Sequence, residues 1–115
     1  MATTTFPRTA TNPAADDSLV ALAAPGAVGE VSVSLDTSAG ASDRTVMIFD
    51  AASLPANGTV PKWRFPVAGA KAASYSFPHG LDCNTGIVVA LSSTEDTLTV
   101  ATANEGYLHV QYRED

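Results

Sequence analysis

The sequence predicts an all-β domain: a single antiparallel β-sandwich, jelly-roll-like, with about eight short strands and an extended N-terminal arm. Three observations carry this expectation. From Leu19 onward, short apolar runs recur at intervals of about 8–12 residues between Gly, Pro, Asn and Asp turn signals, the spacing of a sandwich or barrel. Several runs alternate apolar and polar residues, which sends successive side chains to opposite faces of a sheet. Helix formers are scarce: Ser and Thr number 23 among 115 residues, while Lys and Glu together number six. An immunoglobulin-like sandwich is the alternative two-sheet arrangement.

Residues 1–18 are rich in Thr, Ala and Pro and show no hydrophobic period. Pro7 and Pro13 fix φ and remove backbone donors. This stretch reads as an extended arm, either unstructured or ordered by lying along a neighbouring subunit. Residues 19–115 then form one domain.

A first short run, 19–23, is closed by Pro25 and Gly26. Residues 30–36 alternate most cleanly, with Val31, Val33 and Leu35 on one face and Ser32 and Ser34 on the other. In 44–50, Val46 and Ile48 point one way and Met47 and Phe49 the other, so this strand is central or lies under a loop. A connection over 50–59 contains Pro55 and the turn signal Asn57-Gly58. Residues 60–67 read as an edge strand, because Pro61 and Pro66 cannot donate to a ladder. There Trp63 and Phe65 share one face and Lys62 and Arg64 the other. Residues 73–77 bring Tyr75 and Phe77 together ahead of a turn at Pro78, His79 and Gly80. Residues 85–92 are apolar on both faces, as in a central strand. Residues 97–102 alternate through Leu98 and Val100. Finally, 106–113 set Leu108, Val110 and Tyr112 against Tyr107, His109 and Gln111.

Composition limits the function classes. Twelve acidic against six basic residues give a net charge of −6, which argues against a nucleic-acid partner. Of the hydrophobic residues, 45% of the chain, many are alanine, so the monomer's core looks lean. Cys83 is the only cysteine, so no intrachain disulfide forms and synthesis in a reducing cytosol is expected. The N-terminus lacks the apolar core of a signal peptide. No apolar stretch approaches the roughly 20 residues that span a bilayer, so no membrane partner is expected.

The candidate chemistry is sparse. His79, Asp82 and Cys83 lie close in sequence and invite a metal or Cys-His reading, but zinc wants three or four ligands and Cys83 is the only soft one. The simpler reading is a turn histidine followed by a small buried cysteine. His109 lies mid-strand on a polar face. No G-x-S-x-G elbow accompanies the serines. Asp50, Asp82, Glu95, Asp96 and Glu105 fall at strand ends and turns, where solvated acids are ordinary. Residues 36–44 lack the spacing of a calcium loop, and no phosphate-cradling glycine motif occurs. Lys62, Trp63, Arg64 and Phe65 interleave cations with aromatics, as single-strand nucleic-acid platforms do; strand alternation explains the pattern more simply, and the cations deter edge-to-edge aggregation. These readings predict no catalytic residue, no metal and no cofactor.

Two segments carry a family resemblance. VMIFDAASLPANGTVPKWRFPV and SYSFPHGLDCNTGIVVALSSTEDTLTVA resemble small β-sandwich virion proteins of tailed bacteriophages. The shared features are a strand ending at 48–51, a P-x-N-G-T-x-P loop at 55–61, an aromatic-Pro-x-Gly turn at 77–80, and a hairpin over 86–99. The resemblance covers roughly residues 44–112. It implies a non-enzymatic virion structural protein, foremost a capsid decoration protein that is made in the host cytoplasm and reinforces the assembled phage head. Its implied partners are the major capsid protein and itself, as a homotrimer. The alternatives are a head-fibre or tail-appendage subunit contacting the host surface, or a carbohydrate-binding β-sandwich module. On this reading the candidate interface residues are Phe6, Arg8, Lys62, Arg64, Tyr107 and Tyr112.

Overall fold

The computed structural model describes residues 5–36, 42–102, 104 and 106–115. It contains eight strands: β1 (Arg8–Thr11), β2 (Ser18–Leu22), β3 (Gly26–Leu35), β4 (Arg44–Asp50), β5 (Trp63–Val67), β6 (Ala72–Cys83), β7 (Ile87–Ser92) and β8 (Gly106–Glu114). They form two four-stranded antiparallel sheets, A in the order β1-β8-β3-β6 and B in the order β2-β7-β4-β5. The first strand pairs with the eighth, the second with the seventh, the third with the sixth and the fourth with the fifth. This is a long hairpin rolled into a sandwich, the jelly-roll arrangement.

Strand alternation builds the main core. Val31, Val33, Leu108 and Val110 of sheet A face Val46, Ile48, Val89 and Leu91 of sheet B, all nearly or wholly buried. The opposite face of sheet A carries Ser32, Ser34, Ser74, Tyr107 and His109, so one face is dry and the other wet.

Sheet B is apolar on both faces, as the sequence of β4 predicts. Its outer face carries a second buried cluster of Met47, Phe49, Val88, Ala90 and Leu98. The cover is made by two loops that clasp each other. Gly58 N–H donates to Leu98 O (2.7 Å), Leu98 N–H to Thr59 O (2.9 Å), and Val100 N–H to Asn57 Oδ1 (3.0 Å).

Three elements differ from the sequence expectation. Residues 97–102 form no strand; they touch the sheet by a single bridge between Ser92 and Val100, because the 56–59 loop takes both backbone groups of Leu98 and the Val100 N–H, leaving Thr99 and Ala101 to bond Ser93 and Leu91. The turn expected at Pro78, His79 and Gly80 lies inside β6. Residues 77–80 stand opposite Gly29 alone, a bulge that Gly80 accommodates with a left-handed φ of 83°.

The third difference is in residues 1–18. Of these, 1–4 lie outside the described residues. Arg8–Thr11 is extended but runs along this chain's own β8, in register from Arg8–Tyr112 to Thr11–His109. The physical reason is a set of anchors that alternation cannot reveal. Buried Asn12 donates through Nδ2 to Ala14 O (2.6 Å) and Gly106 O (2.8 Å), and its Oδ1 accepts from Leu108 N–H (2.6 Å). Asp16 exchanges two backbone bonds with Gly106 (2.9 and 3.0 Å), and buried Asp17 accepts from Asn104 N–H at Oδ2 (2.8 Å). Phe6 then lies across Gly29 and Gly80, where the missing side chains leave room for its ring.

Two outcomes follow. Removing residues 1–13 strips β8 of its edge partner and of Asn12, so the truncated domain is expected to melt well below the full chain in a thermal unfolding scan. Leu98→Ala opens a void in the outer cluster and is expected to cost about 2–5 kcal/mol in urea denaturation; a change within error of zero would show that the loops do not press on the sheet.

Candidate functional site

The side chains with the most chemical potential are scattered. His79 is exposed on β6, whereas His109 lies on the outer face of sheet A opposite Ser32 and Thr11. Asp82 is turned to solvent and meets Arg113 at 3.9 Å. Cys83 is buried at the end of β6, and burial, with the Asp50 and Asp82 charges, pushes its thiol up to about 11. Such a thiol is a small core residue and a poor nucleophile. Among the described residues, no group of three or more His, Cys, Asp and Glu side chains is arranged to hold a metal ion. Glu105 and residues 37–41 of the window considered for calcium lie outside the described residues.

Asp50, considered above as one of several solvated acids, has a defined structural task. Its carboxylate accepts backbone N–H groups from Asn84 (2.9 Å), Thr85 (2.8 Å) and Gly86 (3.3 Å), tying the end of β4 to the turn between β6 and β7. Partial burial pushes its pKa upward, but the three N–H donors and the nearby Lys62 charge outweigh that and hold it below the ordinary 3.8. Nothing in the spacing of Asp50 and Asn84 announces this contact.

Five of the six expected interface residues fall in three places on the surface. Phe6 sits half-buried on the outer face of sheet A, with the Arg113 guanidinium 5.4 Å from its ring centroid. Nearby, Arg8 meets Glu114 at 3.6 Å across the β1–β8 pair. Lys62 and Arg64 are exposed at the β5 edge. Tyr107 is 49% exposed and borders a shallow depression of about 480 Å³ with Ser32, Ser34, Ala72, Ser74 and His109. Tyr112 lies apart from these: it faces the core and is 9% exposed, because it shares the inward face of Leu108 and Val110.

One surface feature is less evident from the sequence. β5 and β6 are edge strands of opposite sheets on the same side of the sandwich, and their aromatic residues meet across the gap. Trp63 and Tyr75 have ring centroids 5.5 Å apart, Trp63 and Phe77 5.5 Å, Tyr75 and Phe77 5.1 Å, and Phe65 and Tyr75 6.0 Å. Phe65 is buried, while Trp63 and Tyr75 remain 38% and 41% exposed. The signal was present as alternation in two runs, but only the topology joins them.

No family model, curated protein or solved structure matches this chain.

The Asp50 contacts carry a pH signature. Because its pKa is lowered on folding, the stability it contributes is fully present above the unfolded value near 3.8 and is lost as pH falls through the folded value. Asp50→Asn is therefore expected to be less stable than the native chain at neutral pH, with the gap closing below pH 3.8 in denaturant titrations; a gap independent of pH would rule out the charged contact.

Proposed function

We propose that this chain is a non-enzymatic structural protein of a bacteriophage virion, a decoration protein that binds the assembled head and stabilises it. The observation that carries the reading is where the resembling segments meet. The P-x-N-G-T-x-P loop and the following TLT stretch are about forty residues apart in sequence, yet they hydrogen-bond to each other through Asn57, Gly58, Thr59, Leu98 and Val100. They form one unit, the lid over sheet B, as expected if the resemblance reflects a shared structure.

The role suits the energetics of a lattice. Many copies bound side by side need only weak individual contacts, because each site tethered near another raises the effective concentration. The partners in this reading are the major capsid protein and further copies of the chain, on the head surface after synthesis in the host cytoplasm. Lys62, Arg64 and Tyr107 supply exposed contacts.

A second reading, a fibre or appendage domain that touches surface sugars, draws on Tyr107 beside the serine-lined depression of sheet A. Copy number in purified particles separates the two. Hundreds of copies per particle are expected for decoration; a few tens or fewer would favour the appendage, and absence from particles would reject both.

A further inference from the structure

An open sandwich has four strand edges, each a row of backbone N–H and C=O groups that another chain can pair with. Three of them are blunted here. β1 is four residues long, carries Arg8 and follows Pro7. β2 is five residues long and broken by a register shift between Val20 and Leu22. β5 is five residues long and contains Arg64 and Pro66.

The edge of β6 has no such protection in its first half. The strand is 12 residues long and pairs only with β3 among the described residues. Residues 72–77 contain no charge, proline or glycine, and their pairing with β3 is unbroken from Ala72 to Ser76. Tyr75 within this stretch is half-exposed, as is Trp63 packed beside it.

We propose that this edge of β6 pairs with the same edge of a second copy, antiparallel about a two-fold axis, so that two sheets A become one continuous eight-stranded sheet. The choice of partner rests on charge. A two-fold axis sets a strand against itself, so a charge near the axis would lie close to its own copy. A neutral stretch on a chain of net charge −6 meets that requirement. Arg64 pairs with Met47 on the outer face of sheet B, while Trp63 pairs with core-facing Ile48, so the cation points away from the junction.

Side-chain direction restricts the register, because residues directly opposite must share a face; with the two-fold axis at Tyr75, residues 73–77 pair among themselves. Tyr75 then faces Tyr75 of the second copy, Ala73 faces Phe77, and Ser74 faces Ser76. The rings are tilted at 51° for the exposed Trp63–Tyr75 pair and 47° for Tyr75 with the partly buried Phe77. They form an uneven seam suited to packing rather than one flat platform for a ring-shaped ligand. The pairing is independent of the virion reading, and it replaces the three-fold association implied by the family resemblance with a two-fold one.

The test is the mass of the purified full chain by sedimentation equilibrium, with circular dichroism as the check on folding. The native chain is expected at twice its 11.8 kDa. Ser74→Lys with Ser76→Lys places lysine opposite lysine on the solvent face and is expected to give a folded monomer. Ser74→Glu with Ser76→Lys places opposite charges face to face and is expected to restore the dimer. Amide exchange needs no substitution: residues 72–77 are expected to gain protection as native protein concentration rises. A native chain that stays monomeric, a trimer, or a dimer unmoved by the paired lysines would overturn the proposal.

Discussion

The structure depends on one constraint, the nested pairing of each strand with its counterpart counted from the other end of the hairpin. β4 and β5 flank its tip, and β1 and β8 close its base. Because side chains alternate with a period of two, each pairing must keep its register or turn an apolar face to water. Val28 with Tyr112, Val31 with Val110 and Val33 with Leu108 fulfil that condition along the β3–β8 pair. They do so on both sides of a bulge at Gly29, which absorbs the extra residue without reversing the faces.

The same pairing explains why the two sheets are finished differently. β4 and β7 are central in sheet B and apolar on both faces, so that sheet needs a cover, and the chain makes one from its own loops. Sheet A is covered on its inner face, while its outer face, beyond the patch under Phe6, leaves serine, tyrosine and histidine in water. The distinctive surface therefore lies at the strand edges, the polar face of sheet A and the aromatic seam, features suited to contact with another surface.

Much of this was legible in the sequence wherever a local period governed the outcome. Strand β4, the inward set Val31, Val33 and Leu35, and the division of Trp63 and Phe65 from Arg64 all follow from alternation. What escaped was set by partners far away in the chain. Residues 97–102 look like a strand, yet the 56–59 loop claims the backbone of Leu98 and the Val100 N–H; Pro78 and Gly80 look like a turn, yet they lie in a bulge opposite Gly29. The N-terminal segment gives no local sign that Asn12 satisfies groups near Gly106 and Leu108. For the site, exposure of Lys62, Arg64 and Tyr107 agrees with their positions in the pattern. The inward Tyr112 follows the alternation of its strand. The meeting of Trp63 with Tyr75 required knowledge of strand order.

The pairing of β1 with β8 has a consequence for the order of events in synthesis. Arg8 lies opposite Tyr112, so β1 leaves the ribosome about a hundred residues ahead of the strand it pairs with. Contacts of such sequence separation form late, because the intervening chain must first be closed into a loop. Strand β1 must therefore wait for its partner while the six strands between them are made. Its sequence suits that interval: Pro7 and Pro13 bracket a short, mostly polar stretch that offers little for premature association.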